Sequence, residues 1–278
     1  MDKGKLYLVG TPIGNMEDIT LRALRVLREV DLVAAEDTRR ARKLLSRYEI
    51  HTTVTSYHGH NEREKADSIA NEVEAGKNVA VVSDAGMPGV ADPGFRVVEE
   101  CAGRGLQVEI VPGPSSLTAS LALSGLPLDG FRYDGFIPRK KGERRTRLLG
   151  LLREGEAVVF YEAPHRLKDT LEDLAELAPE RTVVVTHELT KVHEEVLRGT
   201  AAQVLASLGE GKPRGEFVVI VARGEAEETP PLPELAGEVA ELVADGLAPR
   251  EAVKAVAQKH AVAQREVYNA WLEKKNEA

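Results

Sequence analysis

The sequence carries one cysteine, Cys101, in 278 residues. That excludes a disulfide framework and a cysteine-cluster metal site. Cys101 sits in the helical pattern FRVVEECAG, where it reads as a small core residue. So little cysteine suits a reducing compartment, and a cytoplasmic location is expected. Long hydrophobic runs are also missing. The apolar stretches are strand-sized, so no transmembrane helix is expected. The start, MDKGKLYLVG, lacks the long apolar region of a signal peptide. The usual nucleotide signatures are absent too. LYLVGTPIGN runs from a strand into a glycine loop, but its glycines are Gly10 and Gly14 only, with Pro12 between them. Neither G-x-G-x-x-G nor the Lys-Ser/Thr of a P-loop is present. The loop is expected to hold something other than a dinucleotide or a triphosphate.

What is present is ordinary in bulk: 42% hydrophobic and 29% charged residues, in a chain long enough for one large or two medium domains. Net charge is −8, which taken alone argues against nucleic acid. The basic residues are clustered, however, and clustering matters more than the sum. Arg39, Arg40, Arg42, Lys43 and Arg47 fall within RRARKLLSR. Arg139, Lys140, Lys141, Arg144, Arg145 and Arg147 fall within RKKGERRTR, against the single acid Glu143. The excess acid lies elsewhere, for instance in GEAEETPPLPE.

The apolar runs KLYLVG, DLVAAE, TVTSY, NVAVVS and LQVEIV alternate with amphipathic segments LRALRVLREV, TRRARKLLSRY and NEREKADSIANEVEAG. Such alternation predicts βαβ units and a mainly parallel sheet. Asp18 or Thr20 is placed to cap the first helix and Asn61 the third. After about residue 125 strands follow one another more closely, as in YDGFIP, AVVFYEA, TVVVTHEL, EEVLRG and GEFVVIVAR, which predicts a mixed or antiparallel sheet. The expected organisation is an N-terminal α/β domain over 1–118, a second over 119–226 with a cleft between them, and a small helical extension over 233–278. The extension has a helix–turn–helix look but few arginines, and reads as a cap or dimer element rather than a DNA reader.

Two loops carry the chemistry. VAVVSDAGMPGVADPGF is a buried strand followed by about ten residues holding three glycines and two prolines, more than a tight turn needs. Asp92-Pro93 reads as a helix cap and first helical position. VEIVPGPSS repeats the device, with Ser115 and Ser116 at a helix start that can hold a carboxylate. Together they suit an adenosine-containing ligand that need not carry phosphate. Candidate acids, bases and cations are Glu36 and Asp37 in AAEDTR, His58 and His60 in SYHGHNE, and Glu188, Lys191 and His193 in THELTKVHEE. No third ligand accompanies the histidines, so no metal is expected.

In order along the chain, GTPIGN, AAEDTR, SYHGHNE, SDAGMPGVADPG, VPGPSS, FIPRK and YEAPHR resemble the ribosomal RNA small-subunit methyltransferase I family, of the tetrapyrrole-methylase-like superfamily. The resemblance runs from about Leu6 to Arg223. It implies two α/β domains of the class III methyltransferase type, S-adenosylmethionine as cofactor, and methylation of a cytidine ribose 2′-oxygen in small-subunit ribosomal RNA, with a homodimer common in the superfamily. It implies that Ser83, Asp84, Ala85, Gly86, Met87, Pro88 and Asp92 line the cofactor site, with Pro112, Gly113, Pro114, Ser115 and Ser116 as a second wall and Tyr161, Glu162 and Ala163 from the second domain. Met87 stands where Thr or another small polar residue is expected. Thr11, Pro12, Gly14 and Asn15 would place the acceptor ribose. RNA contacts are expected from Arg39, Arg40, His58, Asn61, Arg139, Lys140, Arg144 and Arg145, and catalysis from Glu36, Asp37 and Lys191. The alternatives are a tetrapyrrole methyltransferase on the same fold and a non-catalytic RNA-binding factor.

Overall fold

The computed structural model describes residues 3–59, 61–209, 215–225, 230–260 and 262–277. His60 and the centre of the acidic linker, 226–229, lie outside the described residues. The chain divides into two units. The first is Met1–Ala122 with Glu188–Glu194; the second is Leu123–His187 with Glu195–Ala278.

The first unit holds five strands: β1 (Lys5–Val9), β2 (Leu32–Ala35), β3 (Val54–Ser56), β4 (Val79–Val82) and β5 (Gln107–Val111). They lie in the order β3-β2-β4-β1-β5, and every pairing is parallel. The helices are α1 (Leu21–Glu29), α2 (Thr38–Arg47), α3 (Glu62–Glu74), α4 (Phe95–Gly103) and α5 (Ser116–Ser124). Strand alternation divides the core between the two faces of the sheet. Val33, Ala35, Ala80 and Val82 face α1 and α2, which bury Ala23, Val26 and Leu27, and Ala41, Leu44 and Leu45. Ala34, Val79 and Val81 face the other way, onto Ala66, Ile69, Ala70 and Val73 of α3 and Val97 and Cys101 of α4. Burial pushes the Cys101 thiol up to about 11, so it stays an inert part of this core.

Of the two expected caps of α1, Thr20 is the one used, accepting the Ala23 N–H at 3.0 Å. Two other helix starts differ from the sequence expectation. Asn61 holds the N-cap position of α3, but its side chain turns back to accept the His58 N–H at 2.8 Å, forming no cap bond. Likewise α4 begins at Phe95 behind Gly94, whose φ of 155° suits glycine, and not at Pro93. The donors at that start are met from outside the helix. Glu62 accepts the N–H groups of Gly94 and Arg96, and the Tyr57 hydroxyl accepts the Val97 N–H.

Because all five strands run one way, the loops after them share one sheet edge. β1 and β4 are neighbours, yet the chain leaves β1 toward β2 and leaves β4 toward β5, in opposite directions along the sheet. Their helices, α1 and α4, fall on opposite faces. This is the topological switch point, where open α/β sheets open a crevice for a ligand.

The second unit has a mixed sheet in the order β6-β7-β10-β8-β9, from β6 (Phe131–Phe136), β7 (Ala157–Glu162), β8 (Thr182–His187), β9 (Glu195–Thr200) and β10 (Phe217–Val221). Among the described residues of this sheet, only β6 and β7 pair in parallel. α6 (Lys141–Arg153), α7 (Leu167–Leu177) and α8 (Ala201–Ser207) close its core around Leu148, Phe160, Leu171, Val185 and Val219. α9 (Leu232–Ala244), α10 (Pro249–His260) and α11 (Gln264–Glu277) form a separate core around Leu235, Val239, Val256, Val267 and Trp271.

Candidate active site

The loops after β1 and β4 meet at the switch point through a short antiparallel bridge. The Thr11 N–H donates to the Gly86 carbonyl at 2.9 Å, and the Gly86 N–H returns to Thr11 at 3.1 Å. Thr11 is only 3% exposed, and its hydroxyl donates to the Ser83 carbonyl at 3.3 Å. Thr11 therefore fastens the two loops, in place of the contact to the acceptor ribose that the sequence led one to expect. The loop after β5 is drawn in by the absence of side chains. A Cβ on Gly10 would stand 2.7 Å from the Gly113 Cα and 2.6 Å from the Met87 sulfur. A Cβ on Gly113 would stand 2.9 Å from the Gly10 Cα. Two glycine backbones thus touch, with the Met87 thioether laid over one of them. That contact is apolar, so the departure at Met87 removes no hydroxyl bond from this packing. Gly86 needs its positive φ of 78°, whereas a Cβ there would make only ordinary contacts, with Ile13 at 3.5 Å and the Pro114 carbonyl oxygen at 3.6 Å.

Of the other expected cofactor residues in this unit, Ser83 and Pro88 are buried, and Asp84, Ala85, Met87 and Asp92 are half-buried. Gly113, Pro114, Ser115 and Ser116 are half-buried and Pro112 exposed, at the start of α5.

At the end of β2, the two adjacent carboxyls have opposite environments. Asp37 caps α2, accepting the Arg39 N–H at 2.8 Å, and pairs with the Arg39 guanidinium at 2.7 Å. Those hydrogen bonds hold its carboxyl well below the usual range. Glu36 is pushed up, first by burial and then by the charge of Asp84, with the Asp84 N–H, Arg40 and His58 opposing. One Glu36 oxygen, Oε2, is buried with no hydrogen-bond partner among the described residues. Asp84 in turn accepts the Asp37 N–H at 2.9 Å and faces Arg40 at 3.5 Å. Of the two candidate bases, Glu36 takes up a proton more readily than an ordinary carboxylate, and Asp37 is already engaged.

Lys191 belongs to the segment Glu188–Glu194, which lies against GTPIGN. A Cβ on Gly14 would stand 2.6 Å from the Leu189 carbonyl oxygen and 2.7 Å from the Lys191 Cγ. The Asn15 N–H donates to the Thr190 hydroxyl at 3.0 Å. Glu188 and Thr190 both sit at positive φ, 50° and 63°, a strained conformation for residues with a Cβ and a mark of functional segments. The Lys191 ammonium bonds Glu188 at 2.8 Å. Thr190 was not foreseen, and no local pattern could have shown it, because its partner lies 175 positions away. The Asn15 side-chain carbonyl caps the 3₁₀ turn Met16–Asp18 by accepting the Glu17 N–H at 3.1 Å. That is a turn residue's role, and it leaves the amide NH₂ for other contacts.

In the second unit several expectations change. Glu162 is 1% exposed and fully used inside the unit: Arg166 pairs with it at 3.0 Å and the Thr170 hydroxyl donates at 2.7 Å. It organises YEAPHR and does not face outward. Tyr161 and Ala163 are half-buried, Tyr161 with its ring against Tyr133 and Phe136. The run RKKGERRTR is mostly neutralised. Arg144 is 3% exposed and bonds Asp173 at 2.7 Å; Arg145 bonds Asp173 and Glu176; Arg147 bonds Asp134 at 2.8 Å; Lys140 meets Glu143 at 3.0 Å. Arg144 and Arg145 are committed within the unit, which corrects their expected place at RNA phosphates. Arg139 stays exposed.

A family model described as Tetrapyrrole (Corrin/Porphyrin) Methylases matches residues 5–205, and with the two-sheet fold it defines the class. Likeness of fold alone extends to the crystal structure of uroporphyrin-III C-methyl transferase from Thermus thermophilus complexed with S-adenyl homocysteine, at TM-score 0.55 and 24% identity, covering 80% of this chain and 98% of that one. Two relatives carry the name ribosomal RNA small subunit methyltransferase I. One, from Thermotoga maritima, is 47% identical over 80% of this chain and its own whole length. The other, from Halalkalibacterium halodurans, is 42% identical over 96% of this chain and 94% of its own. The chain belongs to the ribosomal RNA small subunit methyltransferase I family of tetrapyrrole-type methylases.

Proposed function

We infer that the chain uses S-adenosylmethionine to methylate the ribose 2′-oxygen of a cytidine in small-subunit ribosomal RNA. The observation that carries this reading is its likeness, along almost the whole chain, to proteins named for methylating that RNA. The site suits the cofactor. The touching backbones of Gly10 and Gly113 and the positive φ of Gly86 shape a surface at the switch point that adenosine can approach closely. The half-buried Ser115 and Ser116 at the start of α5 suit its carboxylate.

When bound, S-adenosylmethionine supplies a methyl group on a sulfonium, open to in-line displacement by an oxygen nucleophile. This chain's residues align that oxygen and manage its proton. Glu36 accepts the proton of the ribose hydroxyl on its partnerless Oε2. Lys191, held against Gly14 by the strained segment, stabilises the developing alkoxide, and the Asn15 amide donates to the sugar or a neighbouring phosphate. A homodimer belongs to the same reading; the edge strand β5 offers it Ile110, 49% exposed. So does the cytoplasm, where ribosomal RNA is found. Among the described residues no helix is long and apolar enough to cross a membrane.

The test is transfer of a labelled methyl group from S-adenosylmethionine to small ribosomal subunits, to naked small-subunit RNA and to a tetrapyrrole precursor. Label at a cytidine 2′-oxygen is expected with a ribosomal substrate. Label on the tetrapyrrole alone would replace this reading with small-molecule methylation, and no transfer despite tight RNA binding would replace it with a binding factor.

A further inference from the structure

We propose that the solvent face of α2, through Arg42, Lys43 and Arg47, is the surface that grips the phosphates of the ribosomal RNA substrate; this rests on the functional reading above. α2 is TRRARKLLSR, and it contains five cations and no acid. Ala41, Leu44 and Leu45 bury one side of the helix. At 3.6 residues per turn all five cations then fall on the other half, and each of them is exposed. Arg39 and Arg40 answer carboxylates at the N-terminal end of the helix, Asp37 and Asp84. Among the described residues no ion pair reaches Arg42, Lys43 or Arg47.

The contrast with α6 decides between the two basic runs. There the cations were as dense in sequence, yet Asp134, Asp173 and Glu176 have taken up Arg144, Arg145 and Arg147. A phosphate approaching Arg144, Arg145 or Arg147 would have to displace a bonded carboxylate. At α2 it would displace only water and counterions, which is the favourable term in binding nucleic acid. The location agrees. α2 starts directly after Glu36 and Asp37 at the strand edge, so a strand gripped along the helix leads to the candidate base. Arg39, Lys43 and Arg47 repeat every fourth residue, a row about 6 Å per step. In a chain of net charge −8, a patch of one sign also steers a polyanion to one place.

The experiment measures binding of a fluorescent transcript of small-subunit ribosomal RNA, and of small ribosomal subunits, at several salt concentrations. The variant is Arg42→Gln/Lys43→Gln/Arg47→Gln, since glutamine keeps the helix propensity. A control removes three exposed cations elsewhere, Arg250→Gln/Lys254→Gln/Arg265→Gln. The α2 variant is expected to bind RNA at least tenfold more weakly at about 0.1 M salt, with a log–log salt slope shallower by about 2. Its S-adenosylmethionine affinity and melting temperature should stay at wild-type values, and the control should bind RNA like wild type. Wild-type binding with an unmoved α2 variant, or equal losses in both variants, overturns the surface and leaves the enzymatic reading standing. Wild-type protein that neither binds nor methylates the RNA overturns both.

Discussion

At the scale of single residues, the chemistry turns on how neighbours of the same type are made different. Glu36 and Asp37 are adjacent carboxyls, and the sequence offers no reason to prefer one. The structure does. Asp37 is spent on a helix cap and an arginine, whereas Glu36 is half-buried beside a second negative charge. Its folded-state pKa lies above the ordinary value of 4.5, so the native state holds the proton more tightly than the unfolded chain. Below the ordinary value both states are protonated and nothing is lost. As pH rises through the raised value, the buried carboxylate ionises and destabilises the fold. Glu36→Gln keeps an acceptor for the Asp84 N–H but cannot ionise. It should match the wild type in melting temperature near pH 4 and exceed it at pH 7 to 8. If Glu36 is the base, the same variant should also lose methylation rate by about a hundredfold or more, with cofactor affinity retained. A variant that gains stability and keeps its rate would make Glu36 a strained core residue and leave proton removal to water.

At the scale of elements, the alternation of strands and helices could be read directly, because apolar spacing changes visibly between a period of two and one of 3.6. The loops after β1, β4 and β5 could be read too, since their glycines and prolines are a local signature. Pairings between elements left no local trace. RKKGERRTR and RRARKLLSR look alike as text, but α7 and β6 bring acids to the first, whereas in the second only Arg39 and Arg40 meet carboxylates among the described residues. The Arg144–Asp173 pair shows what that commitment is worth. Both side chains are almost wholly buried, at 4% and 2% exposure. Replacing Asp173 with Leu leaves the Arg144 guanidinium buried without its partner, and should destabilise the fold by about 3–5 kcal/mol. Arg144→Leu/Asp173→Leu removes both charges and should recover most of that loss. Urea denaturation reads the difference as a shift in midpoint at constant slope. A double variant as unstable as Asp173→Leu would mean that the pair matters through packing rather than charge.

At the scale of the whole molecule, strand order and chain division were the features least legible in the sequence. Nothing local tells that β4 inserts between β2 and β1, yet this creates the switch point where Gly10, Gly86 and Gly113 converge. Nothing local tells that Glu188–Glu194, flanked by strands of the second unit, belongs with the first. The three C-terminal helices are the opposite case, a part whose independence can be argued from its own core. Leu235, Ala236, Val239, Ala252, Val256 and Val267 are at most 1% exposed and bury one another. The ties to the rest of the second unit are few, among them the Arg153 guanidinium bonded to the Lys259 carbonyl at 2.6 Å. Every residue assigned above to cofactor, proton transfer or phosphate grip lies before residue 192. Ending the chain after Glu225 should therefore lower the melting temperature only modestly. S-adenosylmethionine affinity by calorimetry should stay within about threefold of wild type, a difference below ~0.7 kcal/mol. Methyl transfer to ribosomal RNA should persist. If the shortened protein binds cofactor normally but no longer methylates, the helices hold part of the RNA site, and α2 is only one side of it.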